Sequence, residues 1–100
     1  MSCTEGGGWG LGNNANIAGP GVEVHSGGYK GVNLGFGTAG KFTNGQWYYF
    51  DIVFTNSTLK AYVNGVEKGS VATGSSISYN SSNTIFVGGE AGGSATDAAG

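Results

Sequence analysis

The chain has 100 residues, 22 of them Gly, with ten charged side chains and a formal net charge of −2. Its four cations, Lys30, Lys41, Lys60 and Lys68, are scattered and Arg is absent, which excludes a nucleic-acid binder relying on clustered bases. No stretch approaches the ~20 apolar residues of a membrane span, and the glycines lack the three-residue period of collagen.

Twelve aromatics and clear period-two runs point to turn-rich β structure in one small domain with one modest core. In chain order, Cys3 comes first; as the only cysteine it cannot form an intramolecular disulfide. His25, the sole histidine, ends a strand from Val22 and reads as a surface residue. Zinc needs three or four ligands, which His25 and Cys3 cannot supply alone. No G-x-S-x-G elbow supports a serine nucleophile beside His25.

Gly35-Phe36-Gly37-Thr38-Ala39-Gly40 is a formal G-x-G-x-x-G, and Gly35 to Lys41 nearly spells a P-loop. Phosphate binding there requires a helix directly after the glycines. Phe42-Thr43-Asn44-Gly45 instead reads as a turn leading into a strand, and Phe42 stands where a Mg²⁺-ligating hydroxyl is needed. Both motifs are rejected.

The strand that follows is predicted over Gln46 to Thr55. Tyr48, Phe50, Ile52 and Phe54 form its apolar, core-facing set, alternating with Trp47, Tyr49, Asp51, Val53 and Thr55. Asn56-Ser57-Thr58 breaks the run with turn formers. The next strand, Leu59 to Val63, puts Leu59, Ala61 and Val63 on one face and Lys60 and Tyr62 on the other. Asn64-Gly65 predicts a type I′ hairpin, because both central positions of that turn need positive φ. The chain then returns antiparallel through Val66-Glu67-Lys68.

Gly45, Trp47-Tyr48, the Ser57-Thr58 turn, Leu59-Lys60 and Tyr62-Val63-Asn64-Gly65 together resemble the concanavalin A-like jelly rolls, more specifically the laminin-G-like domains. Under that resemblance, Ser76–Tyr79 and Thr84–Glu90 look like the next two strands. Glu5–Leu11 and Gly27–Lys30 look like the preceding hairpin strands. The resemblance implies an all-β antiparallel sandwich over residues 1–91, with a Gly/Ala/Ser-rich tail or loop over 92–100. By the family pattern Met1 begins mid-sheet and Gly100 stops where a closing strand is expected. The implied sandwich therefore lacks terminal strands, either as a fragment or with strands supplied by another chain.

The resemblance further implies a non-enzymatic recognition module on an extracellular, cell or virion surface, binding glycans or surface proteins. Its rim loops are Asn13–Asn16, Asn33–Gly40 and Glu90–Gly100. The candidate ligand-binding residues are Trp9, Tyr29, Asn33 and Tyr79, the aromatics by stacking on sugar rings and the amide by hydrogen bonding; Trp47 is read as structural. No cofactor is required, but calcium is the plausible metal for an oxygen-ligand rim site. Glu90 and Asp97 are its best-placed acids, with Asn80 and Asn83 as helpers. Glycoside hydrolysis needs two carboxylates facing one cleft. The acids Glu5, Glu23, Asp51, Glu67, Glu90 and Asp97 include no two within six residues, so the Glu-x-Asp-x-x-Glu pattern of related glucanases is absent. The second reading is a structural subunit of a fibre or sheath that self-associates through open sheet edges.

Overall fold

The computed structural model describes residues 7–14, 19–36 and 42–79, with Asn13 and Asn14 described by backbone alone. Six strands form two antiparallel three-stranded sheets, and no helix occurs among the described residues. The first sheet is β1 (Trp9–Asn14), β2 (Gly19–His25) and β3 (Tyr29–Asn33), in that order. The second is β4 (Phe50–Thr55), β5 (Thr58–Val63) and β6 (Val66–Ala72), also in chain order.

Short loops build the second sheet. Asn56 and Ser57 both adopt positive φ, 47° and 59°, and Thr55 pairs with Thr58 across them. Asn64 and Gly65 do the same at 50° and 80°, with Val63 paired to Val66. Both are two-residue turns of the I′ kind, whose twist matches that of the flanking strands. The predicted hairpin at Asn64-Gly65 is therefore present, and the predicted turn at 56–58 is tighter than expected because Thr58 already belongs to β5. A bulge follows in β6, where Ala61 pairs with Gly69 but Tyr62 with Glu67, leaving Lys68 as the extra residue.

The core forms where the two sheets face each other. Val22, Val24, Val32 and Leu34 from the first sheet and its exit meet Leu59, Ala61 and Val63 from β5. Phe50, Ile52 and Phe54 pack against this cluster from β4, as their alternation predicted. The strand itself is shorter than predicted: residues 46–49 lie outside the ladder and β4 begins at Phe50. Tyr48 nonetheless turns inward and joins Phe36, Phe42 and Phe50 in a cluster of rings with centroids 4.5–6.5 Å apart.

Gly69 decides how closely the sheets approach at β3 and β6. A Cβ on Gly69 would stand 3.0 Å from Val32 Cγ1, so hydrogen is the only side chain that fits there without displacement. On the opposite side the sheets are separated by a cleft of about 330 Å³.

After β6 the chain crosses to the first sheet. Gly74 N–H donates to the Ser26 carbonyl at 2.9 Å, and Ser78 N–H donates to the His25 carbonyl at 2.8 Å. The buried Ser26 hydroxyl reaches the carbonyls of Gly74 and Ser76 at 2.9 and 2.6 Å. Ser76–Tyr79, expected as a strand, is instead a non-ladder segment tied across the end of the first sheet by these few bonds. The predicted strand Thr84–Glu90 and the tail 92–100 lie outside the described residues. Asn13 and Asn14, expected in a rim loop, belong to β1, while the rest of that loop lies outside the described residues.

Candidate functional site

Alternation in β2 sends Val22 and Val24 into the core and Glu23 and His25 to the outer face of the first sheet. Glu23 lies opposite Gly10 on β1 and opposite Gly31 on β3, so no cross-strand side chain stands directly beside its carboxylate. Tyr29, paired with His25, is diagonal to Glu23 and within the reach of an aromatic side chain. It uses the room that Gly31 leaves: its phenol donates a hydrogen bond to Glu23 Oε2. The His25 ring meets the Tyr29 ring edge-on, with centroids 5.6 Å apart. Glu23 is only 8% exposed, whereas Tyr29 stands at the surface. Asn33, at the end of β3, accepts a hydrogen bond from Gly35 N–H at 2.6 Å through Oδ1, which holds the chain in the turn after the strand.

The four candidate ligand-binding residues thus divide into two pairs. Tyr29 and Asn33 belong to β3, whose outer face carries Glu23 and His25 alongside. Trp9 and Tyr79 line the cleft between the sheets, together with Phe50, Ile52 and Phe54. Trp9 pairs with the core residue Val24 and is half-buried. Trp9 and Tyr79 are the only lining residues of that cleft with polar side-chain atoms. A ligand pocket of this size normally carries several convergent polar groups that orient its occupant. The cleft is thus largely apolar, with Trp9 packed against the core and Tyr79 68% exposed.

Trp47 requires a correction. Its position beside the strand suggested a structural role, yet it is 96% exposed, and Tyr49 is 68% exposed. Tyr48 between them takes the inward position, so its neighbours must point out. Hydrogen bonding from the Thr43 side chain, and then from Thr43 N–H to Tyr48 Oη at 3.1 Å, favours the phenolate and lowers the Tyr48 pKa from the ordinary value. Tyr49 is fixed by its backbone: Asn64 N–H donates to its carbonyl at 2.8 Å, and its own N–H donates to Asn64 Oδ1 at 2.9 Å. The alternation had placed Trp47 and Tyr49 on the outer set, and the structure shows both exposed.

Three acids can be located. Glu23 is on the outer face of the first sheet, while Asp51 and Glu67 flank Tyr62 on the outer face of the second. The sandwich separates Glu23 from the other two, and Asp51 and Glu67 are exposed on an open sheet face that excludes no water. No arrangement here matches a carboxylate pair across a closed cleft. Among the described residues no group of three His, Cys, Asp or Glu side chains is placed to hold a metal. Glu90, Asp97, Asn80 and Asn83 lie outside the described residues. Residues 42–49 are a turn and a non-ladder approach without a helix, as the rejection of the phosphate-loop motif requires.

The family comparison agrees with this architecture. A laminin-G family model, described as the concanavalin A-like lectin/glucanases superfamily, matches residues 1–100. The chain belongs to this family. The laminin-G-like domain found no match among curated proteins and none among solved structures. Its superfamily includes carbohydrate-binding and enzymatic members. No helix among the described residues is long and apolar enough to cross a membrane.

Proposed function

We propose that this laminin-G-like domain is a non-enzymatic recognition module of an extracellular, cell or virion surface, binding glycans or surface proteins. The supporting observation is the outer face of the first sheet. There a buried carboxylate, Glu23, is held by an exposed phenol, Tyr29, with His25 beside it and glycines on either flank. An exposed ring next to fixed oxygen acceptors on a shallow floor suits a flat polar ligand such as a sugar. The absence of the glucanase carboxylate pattern, and the placement of the described acids on opposite faces, favour binding over hydrolysis. Calcium held by Glu90 and Asp97 at the rim is part of this proposal.

A glycan array probed with the wild-type chain and with Tyr29→Phe, each with and without Ca²⁺, tests it. Tyr29→Phe keeps the ring and removes the hydroxyl, so the expected result is a selective loss of signal. Loss on chelation would support the rim calcium. Equal binding by both proteins would move the site away from Tyr29. No binding to any glycan would leave surface proteins as the partner class, to be tested by capture on immobilised cell-surface extracts.

The second reading, a structural subunit joined by strand pairing, draws on the sheet edges. Among the described residues β1, β3, β4 and β6 each have a neighbour strand on one side only. Light scattering over a range of concentrations separates the two readings, since a fibre subunit assembles and a recognition module stays monomeric.

A further inference from the structure

We propose that the outer face of the second sheet is a separate binding surface for neutral sugars, with Trp47 and Tyr49 as its stacking platform. Large aromatics are usually covered, and a nearly complete indole in water beside an exposed phenol is unusual enough to need a reason. The two residues flank the inward-packed Tyr48 and are both exposed, so they share the outer side of the chain there.

The platform is rigid although it lies outside the ladder. Tyr48 anchors it on the inner side through the ring cluster with Phe36, Phe42 and Phe50. Asn64 anchors it on the backbone through two hydrogen bonds to Tyr49. Asn64 is itself held in its turn conformation, with φ 50°. A platform fixed before binding loses little entropy when a ligand lands on it.

The same face continues past Tyr49 to Asp51, then across the sheet to Tyr62 and Glu67. Ring faces next to carboxylate and phenol oxygens match the two sides of a sugar, its C–H face and its hydroxyl donors. Lys60, one row further along β5 opposite Val53, offsets one of the two acids. With Lys68 exposed in the bulge beside Glu67 as well, the two acids are balanced, and the face gives neither a sulfated chain nor a cationic peptide much to hold. This surface is on the opposite side of the sandwich from Tyr29 and Glu23, so the two sites stand or fall separately.

The test is calorimetry of the full chain with neutral hexasaccharides of glucose and of xylose, using heparin and poly-lysine as charged probes. A neutral sugar should bind, and Trp47→Ala should weaken it by about tenfold or more, as expected for loss of a stacked aromatic. Because a variant can misfold, acrylamide quenching supplies a second readout. In Trp9→Phe the only indole left is Trp47, and a bound neutral sugar should shield it. Unchanged affinity in Trp47→Ala, or no shielding, overturns the proposal. So does binding of poly-lysine or heparin without any neutral sugar. Self-association that Trp47→Ala abolishes also overturns it, since the platform would then be an interface between copies.

Discussion

Ser26 shows how one small side chain holds distant parts of this chain together. It is fully buried, and its hydroxyl serves two carbonyls from the segment after β6, 48 and 50 residues away. One hydroxyl hydrogen can donate to only one carbonyl at a time, and Ser76, at 2.6 Å, has the shorter contact. Ser26→Ala removes that donor from a part-buried contact, at a cost of about 1 kcal/mol. Chemical denaturation should show the loss, and hydrogen exchange should find faster opening of residues 74–78. Tyr48 offers a different residue-scale prediction. Hydrogen bonds from the Thr43 side chain and from Thr43 N–H lower its pKa, so an ultraviolet titration should find Tyr48 ionising below the ordinary tyrosine range. A depressed acid contributes stability above its unfolded pKa and loses it as pH falls through the folded value. Rising alkalinity through that range should therefore tighten the contact with Thr43, and Tyr48→Phe should abolish the effect.

At the scale of single elements, the hairpins of the second sheet carry most of the local information. Asn64-Gly65 is the preferred pair for a turn with positive φ at both positions. Asn56-Ser57 uses the same geometry with Ser57 at φ 59°, a conformation that costs a side-chain-bearing residue about 1–2 kcal/mol. Ser57→Gly should relieve part of that strain and raise the melting temperature, because the Thr73 N–H bond to residue 57 uses only its backbone carbonyl. No change on thermal denaturation would mean that the lost chain entropy of glycine cancels the gain. This sheet was legible because its strands alternate cleanly: Leu59, Ala61 and Val63 were expected inside and are buried. The first sheet was harder to read. Gly10, Gly12, Gly21 and Gly31 interrupt its pattern, and glycine carries no side chain to mark an inner or outer face. Val22–His25 was read from the residues without its Gly19-Pro20-Gly21 start, and Glu5–Leu11 and Gly27–Lys30, given by the family resemblance, overlap β1 and β3 only in part.

For the molecule as a whole, the decisive quantity is the distance between the sheets. Gly69 allows β6 to approach Val32, and this contact keeps one side of the sandwich closed. Gly69→Val would drive branched carbons into Val32 Cγ1, with an overpacking cost of about 1–3 kcal/mol. Denaturant titration should register the loss, and a variant as stable as wild type would show that the sheets separate easily. On the far side the cleft lined by Trp9 and Tyr79 remains open, with Trp9 half-buried beside the core and Tyr79 68% exposed.

Alternation, turn chemistry and family pattern by themselves determined the all-β class, the antiparallel hairpins and the inward set of β4 and β5. These depend on side chains two residues apart or on the φ preference of one pair, and both are local. Tertiary structure decided everything that depends on what covers what. It left Trp47 almost fully exposed and packed Trp9 against the core, brought Tyr29 diagonally onto Glu23 across a glycine, and tied residues 74–78 to Ser26. A period-two pattern names two faces of a strand, but only the packing of the second sheet says which face meets water.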